Sequence, residues 1–219
     1  MTPSLPEHLT PFQKQIAGLQ QVGHQCWQRG WSLGTSSNYS VVLERDPLRL
    51  LVTASGKDKG HLLDCDFVIV DADGRPVPEG QPKSSAETLL HCSAAHHWKA
   101  GAVLHTHSPW ATVLSDLFFA QRGILLEGYE FLKGFEGVTS HQTTLWVPIF
   151  ENTQNIAALR EEVEQYWKSN PHALCFAYLI RKHGLYTWGD HLPAATRHLE
   201  VIEFLLDCMG RRMSLRGSA

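Results

Sequence analysis

Apolar residues recur along this chain with two different periods. Phe12, Ile16, Leu19, Val22 and Cys26 fall three to four positions apart, the spacing of one helix face, and Gly30 can close that helix. Positions 31–38 (WSLGTSSN) are small and polar and predict a loop. Short β-type runs follow at 40–43, 50–53 and 66–70, the last ended by a turn at Asp73-Gly74. Ser84-x-x-Glu87 before Leu89 and Leu90 has the form of a capping box, predicting a helix from there to about Lys99. A strand at 102–105 and a helix from Pro109 come next, then a strand at 145–148. Ile156, Leu159, Val163 and Tyr166 mark an amphipathic helix. The run 174–180 (LCFAYLI) is continuously apolar and suits a central strand, with 185–188 continuing the sheet after a turn at His183-Gly184. Leu199, Ile202, Leu205, Leu206 and Met209 lie on a last helix. Helices interleaved with strands, some strands being adjacent, predict a layered α/β or α+β domain around one sheet.

The chain has 219 residues, enough for one domain over 1–219 burying roughly 70% of its unfolded surface. It has no linker, repeat or low-complexity tract. Its formal charge is −3 with no basic stretch, which leaves nucleic-acid binding without an electrostatic footprint. The absence of an 18-residue apolar run predicts no transmembrane helix and no membrane partner. Met1 to Glu7 lacks the pattern of a signal peptide. Cys26, Cys65, Cys92, Cys175 and Cys208 are odd in number and widely spaced, which fits reduced thiols in the cytoplasm.

The chemistry concentrates at Ala102-Val103-Leu104-His105-Thr106-His107. Side chains two apart on a strand point to the same side, so His105 and His107 can converge on one point. A catalytic zinc commonly takes three protein ligands and keeps a position open. His183, just past the run 174–180, is the best third, at a strand end where active-site groups gather. The pair His96-His97 reads instead as a solvated helix end beside Lys99. Three loops offer clustered anion donors: 34–38 with Thr35, Ser36 and Asn38; 53–57 with Ser55, Gly56 and Lys57; and 82–85 with Ser84 and Ser85. They fit a phosphorylated small molecule. Proton transfer beside a Lewis acid also needs a base, for which Glu87 and Glu130 are candidates. Glu87 has a competing part in the capping box. Glu130, among apolar neighbours, is either a carboxylate of raised pKa or a simple exposed helix or loop carboxylate, and the sequence does not decide between them.

The stretches 101–108 (GAVLHTHS), 83–87 (KSSAE) and 181–189 (RKHGLYTWG) resemble the class II aldolase family. The resemblance runs from about residue 10 to 210. It implies a three-layer α/β/α sandwich around a largely antiparallel or mixed sheet, acting on small phosphorylated sugars. It implies one zinc per subunit, held by His105, His107 and His183, and a homotetramer with the site near a subunit interface. Three local features are similar to the dehydratases of that family: 147–153 (VPIFENT), the x-H-G-x-Y-x-W-G pattern around His183, and 130–134 (EFLKG). By that resemblance the chain is a hydro-lyase with Glu130 as catalytic acid/base and Lys133 as a substrate contact. Glu87 falls where the aldolases keep a catalytic glutamate and some dehydratases a substrate-contacting cysteine, so ligation, substrate contact and capping all stay open for it. Phe118, Phe119 and Phe131 are candidates for an apolar wall, weighed against core packing. An aldolase or 4-epimerase on the same metal, and a non-catalytic scaffold module, are the competing readings.

Overall fold

The computed structural model describes residues 5–216. Met1 to Ser4, most of the stretch read for a leader, and positions 217–219 at the end of the 1–219 domain lie outside the described residues. Among the described residues, eight strands form one sheet: β1 (Asn38–Arg45), β2 (Leu48–Thr53), β3 (Phe67–Val70), β4 (Ala102–Thr106), β5 (Gly123–Leu126), β6 (Leu145–Phe150), β7 (Ala177–Ile180) and β8 (Gly184–Gly189). Their spatial order is β3-β2-β1-β4-β8-β7-β6-β5. β6 and β7 are parallel and every other pairing is antiparallel. The expected mixed, largely antiparallel sheet is present.

Helices cover both faces. α1 (Gln13–Gln28), α3 (Pro109–Leu117) and α5 (Leu192–Arg216) pack on one side, where Ile16, Leu19, Leu104, Leu114, Ile202 and Leu206 share a core. α2 (Thr88–His97) and α4 (Ile156–Ser169) cover the other, with Leu90, Val103, Leu159, Trp167, Tyr178 and Tyr186 between. Each such apolar side chain contributes roughly 1.5–3 kcal/mol when fully buried. β4 lies near the middle, between β1 and β8, and all five of its residues are buried. The sheet therefore fixes the end of β4 more firmly than any edge strand could be fixed, and that end carries the histidines.

Several sequence expectations shift. The strand expected over 174–180 begins only at Ala177, where pairing with Thr187 of β8 starts, and Leu174 is exposed. β5 has no counterpart among the strands expected from sequence. The capping box does not form. Glu87 is itself the residue before α2 and makes no side-chain cap, while the Ser84 hydroxyl donates to the Gly74 carbonyl. Of the His96-His97 pair only His96 is exposed; His97 stacks on Trp167 with centroids 5.0 Å apart.

Candidate metal centre and anion cavity

The two-residue period of β4 sorts its side chains. His105 points to the α2 side and stacks on Tyr186 at 4.0 Å, whereas Thr106 points to α5 and donates to Glu203 at 2.9 Å. His107, just past the strand, returns to the side of His105. His183 sits in the turn between β7 and β8. That turn is clamped by α3: the Thr112 hydroxyl donates to the His183 carbonyl, and the Lys182 amide donates to Ser115. Arg181 pairs with Asp116 and Glu151 at 2.8 and 3.1 Å. Gly184 lets this turn approach β4, since a Cβ there would lie 2.0 Å from the Thr106 carbonyl oxygen.

The three rings meet through their Nε2 atoms. His107 and His105 are 2.7 Å apart at those atoms, and His183 and His107 are 3.2 Å apart. A ligand atom from each of the three lies within 4.8 Å of the other two. His105 donates its Nδ1 proton to the Leu185 carbonyl at 2.9 Å, which leaves Nε2 as a lone pair facing the others. Burial and the neighbouring rings hold His105 well below the usual histidine pKa, and burial pulls His107 down to about 4. Glu87 closes the group, its oxygens 3.3 Å from His183 Nε2 and 3.6 Å from His105 Nε2. Two neutral imidazoles, a third imidazole and a carboxylate form a donor set suited to a divalent transition metal.

Beside the triad lies a cavity of about 150 Å³. Thr35, Ser36, Asn38, Ser55, Gly56, Ser85, Glu87 and His107 line it. The loops around this space take positive φ at Gly34, Ser37 and Gly56. Of the eight donors expected on the three loops, Ser84 and Lys57 are not among the lining residues. Lys57 pairs with Asp66 at 2.8 Å. The ammonium at the cavity is that of Lys59, which donates to the carbonyls of Lys57 and Thr35 at 2.6 and 3.3 Å and is almost fully buried. Burial pulls its pKa down to about 8.

Glu130 stands apart from this cavity. It opens a short 3-10 turn, Glu130–Gly134, is exposed, and pairs with Lys133. The Lys133 ammonium holds the Glu130 carboxyl below its usual pKa, so of the two sequence readings the exposed carboxylate is the one found and the raised value is not. The reason is geometric: Phe131 turns out toward Phe204 and encloses nothing around the carboxylate. Phe118 and Phe119 pack against the core, and Arg181 lies over the Phe119 ring at 4.4 Å.

Comparison with known proteins decides the family. The profile described as "Class II Aldolase and Adducin N-terminal domain" matches residues 17–209. The chain belongs to the class II aldolase family. A methylthioribulose-1-phosphate dehydratase of Alcanivorax borkumensis is 46% identical over 99% of this chain and 100% of that protein. One from Marinobacter nauticus is 43% identical over 95% and 98%. The solved l-fuculose-1-phosphate aldolase from Thermus thermophilus superposes with a TM-score of 0.72 at 22% identity, covering 94% of this chain and 99% of that one. The last likeness bears on the fold alone.

Sequence reading passed over three buried polar residues around the candidate site. Lys59 is signalled only by its place three residues after Gly56. His91 lies one helical turn after Glu87 on the buried face of α2. Glu203 is the sharpest omission: it sits among Leu199, Ile202 and Leu206 on the inward side of α5, where a carboxylate is expensive. It is 3% exposed, receives Thr106 and Ser108 on either side of His107, and burial raises its pKa to about 7. An acid whose folded pKa exceeds its unfolded value stabilises the fold fully below the unfolded pKa, and that contribution is lost as pH rises through the folded one. Glu203→Gln keeps the acceptor without the charge. It is expected to raise stability at pH 8 by up to about 3 kcal/mol and to change little at pH 5. Thermal melts at both pH values check this; a gain independent of pH would contradict it.

Proposed function

We propose that this chain dehydrates 5-methylthioribulose 1-phosphate to 2,3-diketo-5-methylthiopentyl 1-phosphate, a step of methionine salvage, with one zinc per subunit. Full-length identity of 43–46% to methylthioribulose-1-phosphate dehydratases carries the reading. The histidine triad beside a donor-lined cavity supports it. The same reading places a homotetramer in the cytoplasm; no helix among the described residues is long and apolar enough to cross a membrane.

His105, His107 and His183 would hold the metal, with Glu87 next to them. A divalent metal there supplies a Lewis acid that polarises the substrate's C2 carbonyl. The loops carrying Thr35, Ser36, Asn38, Ser55, Gly56 and Ser85 receive the phosphate, and Lys59 adds positive charge at the same cavity. Anchoring the phosphate fixes C2, C3 and C4 relative to the protein. Glu130, ionised because Lys133 faces it, takes the C3 proton and later returns one to the departing C4 hydroxyl. Loss of water leaves an enol that tautomerises to the 2,3-diketone. Lys133 contacts the substrate or keeps Glu130 charged between these transfers. Because Glu130 does not line the cavity of its own protomer, assembly of the tetramer supplies the remaining contacts. Trp31, Trp110, Phe131 and Phe204 line a separate cleft of about 530 Å³ next to Ser108, a candidate wall for the methylthio group.

Protein stripped with a chelator should lose turnover of methylthioribulose 1-phosphate. About one equivalent of zinc per protomer should restore it, giving a product lighter by one water. Full activity after the metal is removed would overturn the metal-dependent reading.

A further inference from the structure

A polar chain runs from the interior of the sheet through Asn38 to Glu87, and two of its members, Ser40 and His91, have no part in the reaction outlined above. Ser40 on β1 lies 2.8 Å from Nδ1 of His91, and Nε2 of His91 is hydrogen-bonded to Oδ1 of Asn38. The Asn38 amide in turn donates to Oε2 of Glu87 at 2.9 Å. Ser40 and His91 are fully buried and Asn38 is 5% exposed. This is an expensive set of groups to place under a helix unless every member is satisfied.

The direction of every bond follows from its last member. A carboxylate accepts only, so Asn38 must turn its NH₂ to Glu87 and its carbonyl away. That carbonyl needs a donor, so His91 carries its proton on Nε2. A neutral imidazole has one N–H, so Nδ1 accepts and Ser40 donates. Burial keeps His91 neutral, its pKa pulled down to about 3. The edge of the His91 ring also meets Tyr186, which stacks on His105, so the ring has little freedom to turn.

We infer that His91, backed by Ser40, is a positioning residue that locks the Asn38 amide with its N–H on Glu87 and so sets the Glu87 carboxylate against the histidine triad. Without His91, Asn38 can rotate its amide and present a carbonyl to the carboxylate, which displaces Glu87 from His105 and His183. The kinetic part of this inference rests on the dehydratase reading; the structural part does not.

Two measurements test it. The first uses the protein itself, labelled with ¹⁵N at histidine. His91 should appear as the Nε2–H tautomer and stay neutral down to about pH 4. An Nδ1–H tautomer or an imidazolium at neutral pH would overturn the inference whatever the reaction proves to be. The second is a double-mutant cycle on methylthioribulose 1-phosphate. His91→Phe should lower kcat about tenfold and move KM by less than about twofold, at unchanged metal content. His91→Gln, which can still donate to Asn38, should recover part of the loss. Because His91 acts through Asn38, His91→Phe with Asn38→Ala should be no slower than Asn38→Ala alone. Losses that multiply would show that His91 acts elsewhere. If His91→Phe fails to fold, Ser40→Ala gives the same contrast: a smaller fall in kcat that vanishes in the Asn38→Ala background, against one that persists. Should the wild type not turn over this substrate, the dehydratase reading fails, and the tautomer alone decides the positioning role.

Discussion

Replacing His183 with alanine is expected to empty the metal site and lower turnover by about 10³-fold or more, while the protein stays folded. The triad places a ligand atom from each histidine within 4.8 Å of the others, so removing one leaves two neutral imidazoles and a carboxylate. His183 is the member to choose. His105 is fully buried against Tyr186, and its loss would also open a void. The position of His183 is held through its own carbonyl by Thr112 and through the flanking Lys182 amide by Ser115, neither of which the substitution touches. Elemental analysis, kcat and the melting temperature of His183→Ala measured together check this. Full metal content in the variant would remove His183 from the ligand set.

Glu130→Gln is expected to lower kcat by about 10²–10⁴-fold, the range for losing a positioned acid/base group. Metal content should not change, because Glu130 makes no contact with the triad and pairs with Lys133 instead. The lysine gives the prediction a pH signature. It favours the charged carboxylate, so the active, ionised form persists to lower pH than for an isolated glutamate. Lys133→Met should therefore move the acid limb of the kcat/KM profile to higher pH. An unshifted limb would mean that Glu130 is not the group titrating there. Full activity in Glu130→Gln would remove it from the mechanism altogether.

The parts of this molecule that were legible in the sequence are those with a local period. Two-residue alternation in β4 puts His105 and His107 on one side and Thr106 on the other. The helix faces of α1, α4 and α5 follow from three-to-four spacing, with Ile16, Leu19, Val22, Leu159, Val163, Leu199, Ile202, Leu205 and Leu206 buried and Phe12, Ile156, Tyr166 and Met209 half-buried at their margins. His183 was reachable because a turn after a buried strand opens where strand ends gather. Glu87 was harder to place. Its S-x-x-E context is a genuine capping pattern, but Ser84 forms a bridge to Ala54 and gives its hydroxyl to Gly74, so the box has lost its first member. The carboxylate is then free to face the histidines, a consequence of contacts that Ser84 makes ten and thirty residues away in sequence. Glu130 shows the reverse failure: apolar neighbours in sequence do not bury a side chain when Phe131 turns outward beside Phe204. Lys59, His91 and Glu203 owe their burial to packing between distant elements. Only the misfit of a charge on an apolar helix face pointed to the last of them.

The dehydratase assignment stands or falls on one comparison of substrates. Zinc-loaded protein is given methylthioribulose 1-phosphate, fuculose 1-phosphate and ribulose 5-phosphate in parallel, and the products are identified by mass. Loss of one water from the first, with the other two unchanged, is the expected result. Cleavage of fuculose 1-phosphate or epimerisation of ribulose 5-phosphate, with methylthioribulose 1-phosphate left intact, would keep the fold and the histidine triad but contradict the dehydratase.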